Sequence, residues 1–269
     1  MYFAHHMKKL IAFFFLFSLS VAFGQNQKIY ANTTDTLNII ADNFIGYDQF
    51  AFYYYIKDDV LHKTKGKESL QYKNPSLGKI TKVDIQNPLK IVVFYENFNV
   101  AILLDNQLNE IQKVNFSENT IPITVSAIGI ASQNRLWVYN ILDQQIGLFD
   151  YIKNDYKTIS TSFPESLKYY QTDFNTFYWI DNKNNWYSCD IFGKIKTRGK
   201  TPDFDVIEII NESQYIYSKN NALFFEDLEK KQKHEIEISK KTFKNFYYKD
   251  QILSIFTSEG IINYKITTP

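Results

Sequence analysis

Catalytic or metal chemistry needs His, Cys, Asp or Glu side chains that converge, and few are available in this sequence of 269 residues. Beyond residue 6 the histidines are His62 and His234, and the one cysteine is Cys189. Two histidines so far apart make a poor zinc set, and Cys189 has no histidine at a recognisable nucleophile spacing. The sequence holds no GxSxG, no P-loop and no GxGxxG. Asp105, Asp150, Asp190 and Glu226 recur at similar positions of a repeated phrase. As a calcium set they would have to converge; as turn-starting carboxylates they need only cap local backbone. A second group, the inner-strand acids Asp84, Asp173, Asp205 and Glu208, would have to face the central channel to hold a metal, and their positions in the repeat do not match each other. No cofactor, catalytic or metal-ligating residue is assigned from these patterns.

The elements that carry these residues repeat. The stretch LWVYNILDQQIGLFD (residues 136–150) reads as strand, polar loop, strand and acidic turn. Its aromatic and β-branched residues suit a pleated, half-buried surface. Five more copies begin near Phe52, Val92, Phe177, Tyr215 and Leu253. Taking Tyr54, Phe94, Val138, Trp179, Ile216 and Ile255 as equivalent, the period is about 40 residues, the signature of a propeller with several strands per copy. The expected fold is therefore all-β, a six-bladed β-propeller closed by an N-terminal strand that completes the last blade. That blade has three strands of its own, and residues 37–41 are expected to supply the fourth by pairing with residues 261–266. The loops inside the second, third and fourth phrases are the longest of their class. They place Phe98, Ile141, Leu142 and Trp186 at expected loop tips on one face, which makes these four the candidate partner-binding residues.

Composition narrows the function classes. Lys8 and Lys9 precede an apolar run from residue 10 to 23, with small residues Ala22 and Gly24 before Gln25. This reads as a signal peptide over residues 1–24, with one propeller domain over 25–269 and export to the periplasm. The run is shorter than the roughly 20 residues of a spanning helix, so no membrane insertion is expected after cleavage. Without Lys8 and Lys9, 28 of the 30 basic residues remain against 29 acidic ones. A near-neutral chain does not read as a nucleic-acid binder. Cys189 cannot form an internal disulfide alone and is expected to be a buried structural thiol.

The phrases SLGKITKVDIQNPLKIVVFYENFNVAILLDNQLNEIQ (residues 76–112) and IGIASQNRLWVYNILDQQIGLFD (residues 128–150) resemble an exported propeller family of Bacteroidota cell envelopes. The match is to PorD-like periplasmic accessory proteins of the type IX secretion translocon. The resemblance is one of repeat style and brings no functional residue with it. It implies a non-enzymatic protein-interaction scaffold whose partner is a large outer-membrane protein. Two other classes stay open: a carbohydrate- or peptide-binding propeller, and a six-bladed hydrolase of the lactonase or esterase kind.

Overall fold

Alternation with period two, buried on both faces, explains the architecture. In the segment IVVFY, Ile91, Val93 and Tyr95 join one apolar cluster while Val92 and Phe94 join the next. Each central strand thus feeds two seams, and such strands read as continuous apolar runs. The computed structural model describes residues 28–118, 122–240 and 242–269. The expected signal segment, residues 1–24, lies outside the described residues.

The strands β1 (Lys28–Tyr30) and β2 (Asn32–Leu37) open the described chain. Blade one comprises β3 (Asn43–Tyr47), β4 (Tyr53–Lys57), β5 (Val60–Lys65) and β6 (Glu68–Tyr72). Blade two comprises β7 (Lys82–Asp84), β8 (Ile91–Tyr95), β9 (Val100–Leu104) and β10 (Glu110–Asn115). Blade three comprises β11 (Val125–Ala131), β12 (Arg135–Asn140), β13 (Gln145–Asp150) and β14 (Asp155–Thr158). Blade four comprises β15 (Leu167–Thr172), β16 (Thr176–Asp181), β17 (Asn185–Asp190) and β18 (Ile195–Lys200). Blade five comprises β19 (Val206–Ile209), β20 (Gln214–Lys219), β21 (Ala222–Asp227) and β22 (Gln232–Glu237). Blade six contributes β23 (Asn245–Lys249), β24 (Ile252–Phe256) and β25 (Ile261–Lys265). The chain is an all-β, six-bladed propeller.

The six equivalent residues of the repeat fall on the second strands β4, β8, β12, β16, β20 and β24, and all are buried. Six apolar clusters fill the six seams between blades. In such a meander the turns between second and third strands emerge on one face, called upper here. The turns between first and second, and third and fourth, emerge on the lower face.

Closure follows the expected plan with a different register. The fourth strand of blade six is β2, antiparallel to β25, with Asn32 opposite Lys265 and Leu37 opposite Ile261. Of the expected pairing strand, residues 37–41, only Leu37 pairs, and residues 38–41 lead over into blade one. There Leu37, Ile39 and Ala41 pack into the seam between blades six and one. An outer strand is largely solvated, so NTTDTL serves there, and the apolar residues after it go to the seam. The sequence pattern also gave no sign of β1, which pairs in parallel with β22 as a fifth strand of blade five.

Candidate functional site

The upper face carries three of the four candidate residues on turns that are tied together. A single turn of 3-10 helix, Glu96–Phe98, ends at Asn99 in the left-handed conformation, φ 53°. Asn99 Oδ1 accepts from Val125 N–H at 2.9 Å, and its Nδ2 donates to Ile123 O at 2.6 Å. One residue away, Thr124 N–H donates to Asn140 Oδ1 at 3.0 Å, and Thr124 O accepts from Ile141 N–H at 2.9 Å. The segment leading into blade three therefore laces the turn of blade two to that of blade three. Phe98, Ile141 and Leu142 are 51%, 50% and 71% exposed on these turns.

Trp186 is not part of this surface. Asp181 Oδ1 accepts from Lys183 N–H and Asn185 N–H, both at 2.8 Å, and Asn184 takes φ 64°. These contacts complete the turn by Asn184, so Trp186 lies on β17. It is 0% exposed, edge-on to Tyr215 in the seam between blades four and five. The ring is packed into the seam, with its indole N–H buried and unpartnered among the described residues.

Beside Ile141, the seam between blades three and four opens into a cavity of about 260 Å³. Its wall includes Ser126, Tyr139, Ile141, Lys168, Tyr169 and Tyr170. The Lys168 ammonium is already committed, 2.8 Å from both Asp203 Oδ1 and Asn184 Oδ1 and 4.3 Å from the Phe204 ring centroid. The Tyr169 hydroxyl donates to Gln171 Oε1 at 2.8 Å, and Tyr170 Oη accepts from Ile128 N–H at 3.3 Å. The cavity thus presents aromatic rings with a largely satisfied polar rim, a surface suited to a neutral ring or side chain.

Around the axis, inner-strand side chains bond to neighbouring backbones. Asp84 Oδ2 accepts from Ile130 N–H at 2.8 Å, linking blades two and three. Gln171 both accepts from Ile209 N–H at 2.9 Å and donates to Ile209 O at 2.7 Å, linking blades four and five. Glu208 Oε2 accepts from Tyr248 N–H at 2.6 Å, and the Tyr47 hydroxyl donates to Lys249 O at 2.6 Å. Gln86 Nε2 reaches Thr172 O, from blade two to blade four. Of the four inner acids, Asp84 and Glu208 take part in this ring. Asp173 caps the turn at Asn175 and Thr176, and Asp205 accepts from Asn220 N–H on the upper face.

Burial raises both axial carboxyls. Desolvation pushes Glu208 up to about 8, against the Tyr248 N–H and the Lys82 ammonium, which favour its charged form. Asp84 is raised for the same first reason, against N–H donors from Gln86 and Ile130 and against Lys82. The other groups that feel this centre are Tyr47, Tyr169, Tyr170, Tyr247 and Tyr248. A carboxyl whose folded pKa lies above its unfolded value binds more protons in the native state between the two. Its contribution is full below the unfolded value near 4.5 and is lost as pH rises towards 8. Glu208→Gln, which stays neutral, should therefore gain on the wild type as pH rises, its melting temperature relative to the wild type being higher at pH 8.5 than at pH 5.5. Thermal melts at both pH values check this, and a gap independent of pH would sink the assignment.

No family model matches the chain, and no curated protein matches its sequence. Solved structures share its fold. A streptogramin B lyase superposes with a TM-score of 0.57 at 11% identity, covering 89% of this chain and 98% of that one. The β-propeller domain of Cps50 (Swd1) from Myceliophteria thermophila gives 0.58 at 10% identity, covering 88% and 100%. PorZ, a surface component of the type IX secretion system of Porphyromonas gingivalis, gives 0.48 at 9% identity, covering 87% of this chain and 39% of that one. Neighbours that include an enzyme and a Swd1 propeller domain, at 10–11% identity, establish the architecture and leave activity to the site.

The remaining sequence candidates are dispersed. His62 stacks on Tyr55 in blade one, and His234 lies on β22 in blade five. Cys189 is buried in the seam between blades three and four, and burial pushes its thiol up to about 12. Among the described residues no group of three or more His, Cys, Asp and Glu converges to hold a metal ion. Asp105, Asp150 and Asp190 each accept two backbone N–H groups of the turn that follows. In blade five that role falls to Asp227 rather than Glu226, with Asp227 Oδ1 accepting from Lys230 N–H. What sequence reasoning missed is the cavity beside Ile141. Its tyrosines come from two different blades, and no local pattern announces their meeting.

Proposed function

We propose that the chain is a non-enzymatic docking scaffold of the cell envelope, acting in the periplasm as an accessory subunit of an outer-membrane secretion complex of the type IX kind. The observation that carries the docking role is the set Phe98, Ile141 and Leu142, exposed on turns laced through Thr124 and Val125. Rigid turns present apolar anchors at little ordering cost. Export rests on the basic and apolar start of the sequence, and the secretion partner rests on the resemblance of repeat style. Among the described residues no helix is long and apolar enough to cross a membrane.

The double variant Phe98→Ala, Leu142→Ala tests the surface. Both side chains are exposed, so the melting temperature should hold. Losing central anchors typically costs about 2 kcal/mol or more, roughly thirtyfold in affinity. Affinity capture from the native envelope should recover an outer-membrane protein with the wild type and far less of it with the variant. Equal recovery would remove this face from the interface. A second reading, a receptor for a sugar or peptide side chain, is favoured by the tyrosine-lined cavity beside Ile141. Saturable binding of a neutral saccharide that Tyr139→Ala abolishes would select it.

A further inference from the structure

The lower face holds a second, chemically different site at the rim between blades three and four. Phe192 is the most exposed large apolar residue among those described, at 86%. Its turn is nonetheless fixed. Asp190 Oδ1 accepts from Phe192 N–H at 2.9 Å and from Lys194 N–H at 3.0 Å. Gly193 N–H donates to Asp190 O at 2.9 Å. Gly193 stands at φ +86°, where a Cβ would collide with the Ile159 carbonyl oxygen. The turn of blade four is thus pressed onto the end of blade three, and an aromatic ring is held in water on a rigid support.

Next to it lies a cavity of about 470 Å³, lined by Gln133, Arg135, Lys157, Ile159, Ile191 and Phe192. Arg135 is half-buried and oriented by Ser132, whose carbonyl accepts from its Nε at 3.0 Å. Neither Arg135 nor Lys157 forms an ion pair among the described residues. Asp150, opposite Arg135 in the strand register, accepts from Ile152 and Lys153 N–H and lies 3.8 Å from Lys153 Nζ. Asp190 caps the Phe192 turn.

We propose that this cavity binds an acidic peptide segment in which an aromatic or aliphatic side chain stands next to a carboxylate. The carboxylate sits between Lys157 and Arg135, whose fork geometry suits it. The apolar side chain packs against Phe192, Ile191 and Ile159. The charge pattern selects a peptide over a polyanion. In the strand register Asp150 stands opposite both Arg135 and Asp155, and Asp155 lies two residues from Lys157, so a nucleic-acid strand or an anionic membrane would meet carboxylates as well as the two cations. One or two well-placed carboxylates avoid that repulsion. This site is independent of the upper-face docking role.

The test is fluorescence anisotropy with a labelled peptide of sequence Gly-Ser-Asp-Phe-Glu-Ser-Gly, its termini blocked. Two comparison peptides replace its acids by Asn and Gln, or its Phe by Gly. Saturable binding of the first peptide is expected, with affinity lowered roughly tenfold or more by Phe192→Ala and by Lys157→Glu. Both comparison peptides should bind at least as poorly. Both substituted side chains are exposed, and circular dichroism melts confirm that the variants fold. No saturable binding, unchanged affinity in both variants, or equal binding of the amidated peptide would overturn the proposal. So would tighter binding of a labelled oligonucleotide or of phosphatidylglycerol vesicles that the same variants weaken.

Discussion

Removing residues 28–37 should abolish the cooperative unfolding transition. The cut takes away β2, the outer strand of blade six, and with it five paired positions from Asn32 opposite Lys265 to Leu37 opposite Ile261. It exposes the edge of β25, where Ile261, Asn263 and Tyr264 are now buried. Asn263 loses its bond to Asp35 Oδ2, and Thr34 no longer donates to Asn263 O. The cut also removes Ile29 from the seam between blades five and six. Each lost backbone pairing is worth about 1 kcal/mol, and one buried Ile about 2 kcal/mol. Their sum is of the order of the whole stability of a typical domain, about 5–15 kcal/mol. The truncated chain should show no sigmoidal melt, and adding a synthetic peptide of residues 28–41 in trans should restore one. A truncated protein that melts cooperatively at the original temperature would show that closure does not depend on β2.

The register of that closure was the part of the fold hardest to read. Central strands announce themselves because both faces are buried, as in IVVFY and VAILL. An outer strand needs no apolar face, so NTTDTL was invisible beside the more apolar residues 37–41. The same preference for apolar character misplaced Trp186, whose turn is set by the carboxylate of Asp181 and the left-handed Asn184. The exposure of Phe98, Ile141 and Leu142 was legible because turns capped by Asn and Asp leave few ways to hide a side chain. The axial pair Asp84 and Glu208 could not be told apart from Asp173 and Asp205. A one-residue change of register moves a strand side chain to the opposite face, and turn carboxylates look alike in sequence. The lower rim carries no sign in the sequence beyond the recurring acid Asp190. That Phe192 stands beside Arg135 and Lys157 follows from how blades three and four pack, which no single repeat encodes.

Gly129→Ala should be among the most damaging single substitutions. Gly129 lies on the inner strand β11, where three blades meet near the axis. A Cβ at that position would overlap Thr172 Oγ1 of blade four, and would stand 2.9 Å from Thr172 Cβ and 3.0 Å from Asp84 Oδ2 of blade two. None of these atoms can give way freely. Asp84 is held by the N–H groups of Ile130 and Gln86, and Thr172 is buried with its carbonyl engaged by Gln86. Overpacking a tight core typically costs about 1–3 kcal/mol, and displacing a buried hydrogen-bonded carboxyl adds to that. A loss of about 3 kcal/mol lowers Tm by roughly 6–12 °C in a domain of this size. Because the nearest atom belongs to Thr172, Thr172→Ala should recover part of the loss when combined with Gly129→Ala, although alone it destabilises. The double-mutant cycle should then show a favourable coupling of about 1 kcal/mol or more. Additive losses would mean that the glycine is needed for something other than the close approach of blade four.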